Sequence, residues 1–588
     1  MFRTKKLTLL ALVVMIAPMV LAGCGPTPEP QTVVQTVEVE KIVVQTVEVV
    51  KTVEVVVTAT PEPDPEDAAL AFDPESGTRL TVMLDGEPLG ITKYLVTYVA
   101  NPVRMADELP GRDGTMQPVE DVYAWQKMYI YVPDTSADDQ DTAIILRVNN
   151  GGWMNSPVSD IVEEGAEFVS DSDNDAIGAA LKAGYIIVNA GTRSRGLVAA
   201  DGTYPGHAPA VVVDAKAAIR YLKLNDEVMP GSADRIVITG VSGGGGLSVA
   251  VAASGNSPDY YPYLEEIGAA GIDADGNSTL TDDVFATIAY CPITDLDHAD
   301  IAYEWQYSAT RLLGDYTDGQ LSDQMKQVSA DLAALYPAYL ESLGLVLEDG
   351  TPLTADTMPD AIVALVKADI EKAMAKEDET IPDLGETWTF TQRDGSELAV
   401  INDWLDVDND TDTVVSIDYG KYLEFVATTA KLKTAPAFDN YGTPLQYRMN
   451  ESNLAGDEMT EYSHWLEWSW ENDAISDNKV GLDDTGLTFD EFMATDAGKA
   501  VMKQMKMINP MPYLTSDEGD SAPYWYVRHG MRDRDTSFAV EVALFYAIQN
   551  DPAVQDANFA IAYMQPHGGN YDVQEAYSWL AGVLAAAE

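Results

Sequence analysis

The chain has 588 residues, more than one hydrophobic core usually spans, and its 46% apolar fraction with ten Trp and 29 Tyr is ample for a large globular body. Asp and Glu number 95 against 35 Lys and Arg, a formal charge of −60 with a pI near 4.1. That field repels nucleic acid and anionic membrane surfaces and argues against both as partners, leaving a solvated acidic surface as the plain reading.

The chain opens as an export signal, predicted over residues 1–23: Arg3, Lys5 and Lys6 form a basic start and "LTLLALVVMIAPMVL" an apolar core. "LAGC" then matches a lipobox. That resemblance implies cleavage before Cys24, lipidation of its sulfur and a protein held to the outer face of the cell membrane, because several acyl chains anchor stably where one barely does. Cys291 is the other cysteine, so no intrachain disulfide is expected once Cys24 is lipidated. Residues 24–75 read as a stalk. "VVQTVEV" occurs at Val33–Val39 and Val43–Val49 and "VVKTVEV" at Val49–Val55, β-branched repeats that favour extended chain, followed by the proline-rich "TATPEPDPEDA". Such Val/Thr stretches are also sticky edges that could pair strands between chains.

From residue 76 strands alternate with helices. "TRLTVML", "KMYIYVP", "TAIILRVNNGGW" and "AGYIIVNAGTR" carry strand patterns, "APAVVVDAKAAIRYLKLND" is helical, "DRIVITG" is a strand, "VSGGGGLSVAVAASG" turns into a helix, and "FATIAYCPITD" is a strand. Residues 296–515 interrupt the rhythm with mixed segments. It resumes over 516–588 with strand "PYWYVRHG", helix "SFAVEVALFYAIQND", strand "NFAIAYMQP", loop "HGGN" and a final helix. This predicts an α/β class, a mostly parallel sheet flanked by helices over 76–295 and 516–588, with 296–515 inserted as a cap above the strand ends.

Gly240-Val241-Ser242-Gly243-Gly244 fits G-x-S-x-G between an apolar strand and a helix, a sharp turn that needs glycines beside the serine for steric reasons. Ser242 is therefore a candidate nucleophile rather than part of a plain tight turn. A serine needs a base, and of His207, His298, His464, His529 and His567 only His567 follows the last strand, where that base belongs. His529 lies within a strand and is read as structural. The acid should follow the preceding strand, in "RHGMRDRDTS". If that segment stays extended, its two-residue period puts Asp533 and Asp535 on one side, although Asp535 could instead cap the next helix and Asp533 pair with a neighbouring arginine.

"GVSGGGGLSVAVAASGN", "AYCPITDLDHADIAYEWQY", "KTAPAFDN", "RHGMRDRDTS" and "PHGGNYD" together resemble the bacterial tannases of the α/β-hydrolase superfamily, over roughly residues 75–588. The resemblance implies a serine carboxylesterase for galloyl esters, with Ser242 as nucleophile, Asp533 as acid and His567 as base; no Cys/His spacing suggests zinc and no G-x-G-x-x-G or Walker loop occurs, so no cofactor or metal is expected. It implies that Asp535, Lys433 and Glu451 bind the galloyl hydroxyls, carboxylates accepting from the phenols. In such a reaction the oxyanion would be held by the Gly243 N–H and a second N–H from the "NNGGW" turn near Gly152.

Rival readings keep the fold but change the role: a feruloyl or other aromatic esterase, a peptidase, or a non-catalytic surface binding lipoprotein. "DVDNDTD" and "DADGN" resemble calcium loops but lack the glycine or the closing glutamate. "HWLEWSW" reads as packing between insertion and sheet before it reads as a substrate groove. Oligomeric state and natural substrate are not legible in the sequence.

Overall fold

The structure is a computed structural model describing residues 65–587, apart from 112–114, 274, 377–379, 393–394, 441–450 and 473–480. The predicted signal, Cys24 and the repeats lie outside the described residues, all of which fall in one compact unit, Asp64–Glu588. Among the described residues no helix is long and apolar enough to cross a membrane.

Among the described residues ten strands form one sheet: β1 Thr78–Leu84, β2 Glu87–Thr97, β3 Lys127–Pro133, β4 Ile144–Arg147, β5 Glu167–Phe168, β6 Ile186–Ala190, β7 Ile236–Val241, β8 Ala286–Tyr290, β9 Tyr524–Gly530 and β10 Asp556–Ala562. Their spatial order is β10-β9-β8-β7-β4-β6-β3-β2-β1-β5. From β6 to β10 every pairing is parallel, while β1, β2 and β3 pair antiparallel with one another and β3 with β6. The inner parallel strands are buried on both faces, which is why they read as apolar runs rather than alternating patterns, while the edge strand β10 is only half-buried. β9 joins β8 in register across the insertion, Ala286 opposite Tyr524, so residues 291–523 are a single excursion from one continuous sheet.

Four helices matter to the site: α1 Ala210–Leu224, α2 Gly243–Ala253, α3 Phe538–Asn550 and α4 Val573–Ala586. α2 and α3 are apolar nearly all round and correspondingly buried, whereas α4 covers the opposite face of the sheet with one buried stripe. Among the described residues the insertion supplies helices Leu296–Arg311 and Met358–Met374, several shorter helices and two small hairpins, and its apolar residues belong to the same core cluster as α2 and α3.

The body starts earlier than expected. Residues 65–75, assigned above to the stalk, fold onto it: Leu70 and Phe72 are buried, the Gly271 amide donates to Asp67 (2.8 Å), and the Phe72 amide donates to Asn225 (2.7 Å). Two apolar side chains in an acidic proline-rich stretch suffice to dock it. "HWLEWSW" packs, but within the insertion rather than between it and the sheet: Trp465 is buried and donates to the Leu296 carbonyl, and Trp470 stacks on Phe492. "DVDNDTD" is the tip of a hairpin, where Asp408 accepts the Asp410 and Thr411 amides as an ordinary turn does.

Candidate active site

β7 delivers Ser242 at its carboxyl end with φ of +62°, a left-handed conformation held by the Ser242 amide donating to the Tyr290 carbonyl (2.9 Å) and the Ser242 carbonyl accepting from Gly246 and Ile293. The turn closes only because its neighbours lack side chains. A Cβ on Gly240 would lie 2.2 Å from the Gly244 carbonyl oxygen, and one on Gly243 would lie 2.2 Å from the Trp153 amide nitrogen. That second contact presses the start of α2 against the turn following β4, where Gly152 and Trp153 both have positive φ. The two segments assigned to the oxyanion are therefore neighbours, aided by the electropositive end of α2.

His567 sits in the loop after β10. Its Nε2 is 2.8 Å from Ser242 Oγ and its Nδ1 is 2.7 Å from Asp533 Oδ2. With Nδ1 carrying the proton, Nε2 is the lone-pair nitrogen facing the serine hydroxyl, the arrangement in which a serine can be deprotonated as it attacks. Burial disfavours the imidazolium, but the Asp533 carboxylate, by charge and by hydrogen bond, outweighs this and raises the His567 pKa, with Asp535 adding to the effect and Lys433 opposing it.

The two aspartates of "RHGMRDRDTS" do flank the site, but not by strand periodicity. β9 ends at Gly530 and the chain turns, the Asp533 amide donating to the Gly530 carbonyl (2.9 Å). Arg532 leaves the loop for Met564 and the Phe390 ring instead of pairing with Asp533. Asp533 is fully buried, and its Oδ1 accepts the Asp535 amide (2.7 Å). Asp535 is partly open, with Oδ2 3.7 Å from His567 Nδ1 and Oδ1 2.6 Å from Arg534 Nη1. The cap of α3 is Ser537, which accepts the Val540 amide, so Asp535 is not spent as a cap. The insertion fixes this loop from above: Tyr422 donates to the Met531 carbonyl (2.7 Å) and Tyr303 to the Arg534 carbonyl (2.9 Å).

Behind Asp533 lies a second buried layer. His529 Nδ1 is 3.6 Å from Asp533 Oδ2 and 3.7 Å from Glu541 Oε1, all three fully buried. Burial lowers the His529 pKa to about 4, so it is neutral at pH 7. Burial, then Asp533, raises that of Glu541 well above the usual carboxyl value. Burial also pushes the Asp533 pKa upward, but charge on the two histidine rings when they are protonated, the hydrogen bond to His567 and the Asp535 amide outweigh it and lower it well below the usual carboxylate value. His529 is thus structural, as expected. Glu541 was not foreseen, and its one signal was a lone carboxylate in an apolar helix.

The other histidines have satisfied roles elsewhere. His298 bridges Asp295 and Asp297 and stacks on Tyr339, His464 pairs with buried Asp439 (2.6 Å), and His207 Nε2 contacts the Glu461 carbonyl. The ring-binding candidates converge on the site from the insertion. Lys433 is close enough to oppose charge on His567, and its ammonium lies 4.1 Å from the Phe438 ring centroid, whereas Lys431 points away to exposed Asp315. Glu451, in a short helical turn at Glu451–Leu454, is held by Arg195 (3.1 Å), which also grips the Gly152 carbonyl.

Known proteins with this architecture can now be compared. The BD-FAE family matches residues 128–331, and a search of curated proteins finds no match. Among solved structures, tannin acyl hydrolase from Lactobacillus plantarum superposes with a TM-score of 0.66 at 28% identity, covering 88% of this chain and 99% of that one. Tannase from Fusobacterium nucleatum gives 0.66 at 29% identity with the same coverages. This chain has the fold of the bacterial tannases. A tannin acyl hydrolase solved with ethyl gallate matches at a TM-score of 0.67, 28% identity and the same coverages. The tannase-like core spans nearly the whole of those enzymes, so the α/β-hydrolase sheet and its large insertion are both shared features.

Proposed function

We propose that the protein is a tannin acylhydrolase, a serine carboxylesterase that cleaves galloyl esters through an acyl-enzyme. The observation that carries this reading is the hydrogen-bonded line Ser242–His567–Asp533 with a second, partly open carboxylate, Asp535, beside it. A hydrolase needs the line; a ring bearing three adjacent hydroxyls explains the extra carboxylate.

Ser242 Oγ attacks the ester carbonyl carbon as its proton passes to His567 Nε2. The carbonyl oxygen becomes an oxyanion, received by the Gly243 N–H and an N–H of the Gly152 turn. The imidazolium, balanced by Asp533, returns the proton to the departing alcohol oxygen. Water then loses a proton to His567 as it attacks the galloyl carbonyl, and the C–O bond to Ser242 breaks as His567 returns that proton to Ser242 Oγ, releasing gallic acid. Asp535 and Glu451 accept from the phenolic hydroxyls, and Lys433 donates to a phenol oxygen. A ring without hydroxyls would desolvate these groups without giving them hydrogen bonds beyond those to Arg534 and Arg195, which is how such a site rejects it.

Replacing Ser242 by Ala is expected to abolish hydrolysis of every ester while gallate still binds; turnover near wild type would overturn the assignment. The same reading places the enzyme outside the cell on a lipid anchor at Cys24, supported by "LAGC" following a basic start and an apolar run. Cys24→Ser should release the protein from host membranes, and retention would refute lipidation as the tether.

A further inference from the structure

The turn after β4 is strained; α2 packs against it and Trp153 Nε1 donates to the Ile293 carbonyl (2.8 Å), but one loop carries most of its main-chain hydrogen bonds. Gly152 (φ +60°) and Trp153 (φ +53°) are consecutive left-handed residues, and for an aromatic side chain that conformation persists only when the surroundings enforce it. The enforcement comes from "TRSR", Thr192–Arg195, in the loop after β6. Thr192 and Asn150 exchange side-chain hydrogen bonds (2.8 and 3.0 Å), Ser194 Oγ donates to the Trp153 carbonyl (2.6 Å), and Arg195 donates to the Gly152 carbonyl through Nε (2.9 Å) and through Nη2. Arg193, paired with Asp214 of α1 at 2.9 Å in the core, fixes the base of the loop. The Arg195 side chain is 3% exposed and its Nη2 also reaches Glu451 Oε1. One planar guanidinium therefore joins the oxyanion turn to a carboxylate assigned to the phenolic ring, a geometry that its fork of fixed donors suits and an ammonium does not.

We propose that Arg195 is a positioning residue that, by gripping the Gly152 carbonyl, holds the Asn150–Trp153 turn so that the Gly152 N–H faces the oxyanion, the Trp153 N–H being spent on the Asn150 carbonyl (2.8 Å), and that it couples this hold to ring engagement at Glu451. When the phenolic hydroxyls occupy Glu451, the guanidinium is drawn against the turn it also grips, so recognition of the ring appears in kcat as well as in KM. The coupling half rests on the galloyl-ester reading of Glu451; the holding half does not.

The experiment measures kcat and KM for Arg195→Gln, Arg195→Lys, Glu451→Gln and the Arg195→Gln/Glu451→Gln double variant, on methyl gallate and on 4-nitrophenyl acetate, whose acyl group has no ring. Melting temperatures serve as the folding control. Arg195→Gln is expected to lower kcat on 4-nitrophenyl acetate about tenfold or more with KM little changed, below the full loss of an oxyanion donor, and Arg195→Lys to recover part of it. Wild-type kcat in a folded Arg195→Gln protein overturns the holding role. If Arg195→Gln does not fold, Arg195→Lys decides, and wild-type kcat in that variant overturns it equally. Glu451→Gln should lower kcat on methyl gallate alone, and this loss should vanish in the Arg195→Gln background; an undiminished loss there overturns the coupling. If Glu451→Gln changes neither kcat nor KM on methyl gallate, the ring-binding reading of Glu451 fails and the coupling with it, while the 4-nitrophenyl acetate result still decides the holding role.

Discussion

Asp533→Asn separates the acid's electrostatic role from its shape. The amide is isosteric, its oxygen can still accept the Asp535 amide now 2.7 Å from Oδ1, and the turn should survive. What is lost is the charge facing His567 across 2.7 Å in a fully buried position. Removing one partner of a buried charged pair costs about 3–5 kcal/mol, and at about 1.4 kcal/mol per decade of rate this predicts a fall in kcat of about 10²- to 10⁴-fold. An amide N–H turned toward Nδ1 would also favour the tautomer whose Nε2 bears hydrogen and cannot accept the serine proton. The assay is steady-state hydrolysis of methyl gallate across pH, with 4-nitrophenyl acetate as a second ester. The loss should be similar on both and lie in kcat. Because Asp533 holds the His567 pKa above its ordinary value, wild-type kcat/KM should fall as pH drops through that raised pKa, where the base is protonated. In Asp533→Asn the residual activity should lose its midpoint at lower pH, since the cation is no longer favoured. A variant within tenfold of wild type, or one whose acid limb does not move, would refute the reasoning.

Asp535→Asn should act differently: losing a hydrogen bond to a charged group is expected to cost about 10- to 100-fold in kcat/KM on methyl gallate, with the rate on 4-nitrophenyl acetate near wild type; equal losses on the two esters would mean the aspartates were assigned backwards. Gly243→Ala puts a methyl group 2.2 Å from the Trp153 amide nitrogen and 2.3 Å from the Asn150 carbonyl oxygen, both main-chain atoms. It should lower the melting temperature and remove activity on all esters, whereas a stable, active variant would show that the turn is not packed as described.

Most of the sheet was legible because the inner parallel strands are buried on both faces and announce themselves as apolar runs, and the antiparallel strand "KMYIYVP" is β3 from end to end. β2 was missed, since "EPLGITKYLVT" mixes a glycine and a lysine into a half-buried strand whose place is set by antiparallel partners on both sides. Ser242 and His567 could be read from local context, a strand–turn–helix and a loop after the last strand. The two aspartates could be found but not arranged, because the turn at Gly530 depends on contacts with β10 and the insertion that a local period does not encode. Arg195 was invisible for the same reason: its partners lie 43 and 256 residues away, and "GTRSRG" looks like any polar loop at the end of a strand.

The central claim is preference for the galloyl ring. It is tested most directly by kcat/KM of the purified body, from residue 65 onward, on methyl gallate, methyl ferulate and a short-chain acyl ester. The account predicts methyl gallate to be favoured by about two orders of magnitude or more, because sites built around substrate hydroxyls discriminate strongly against rings that lack them. Equal rates on all three, or a preference for ferulate, would contradict it.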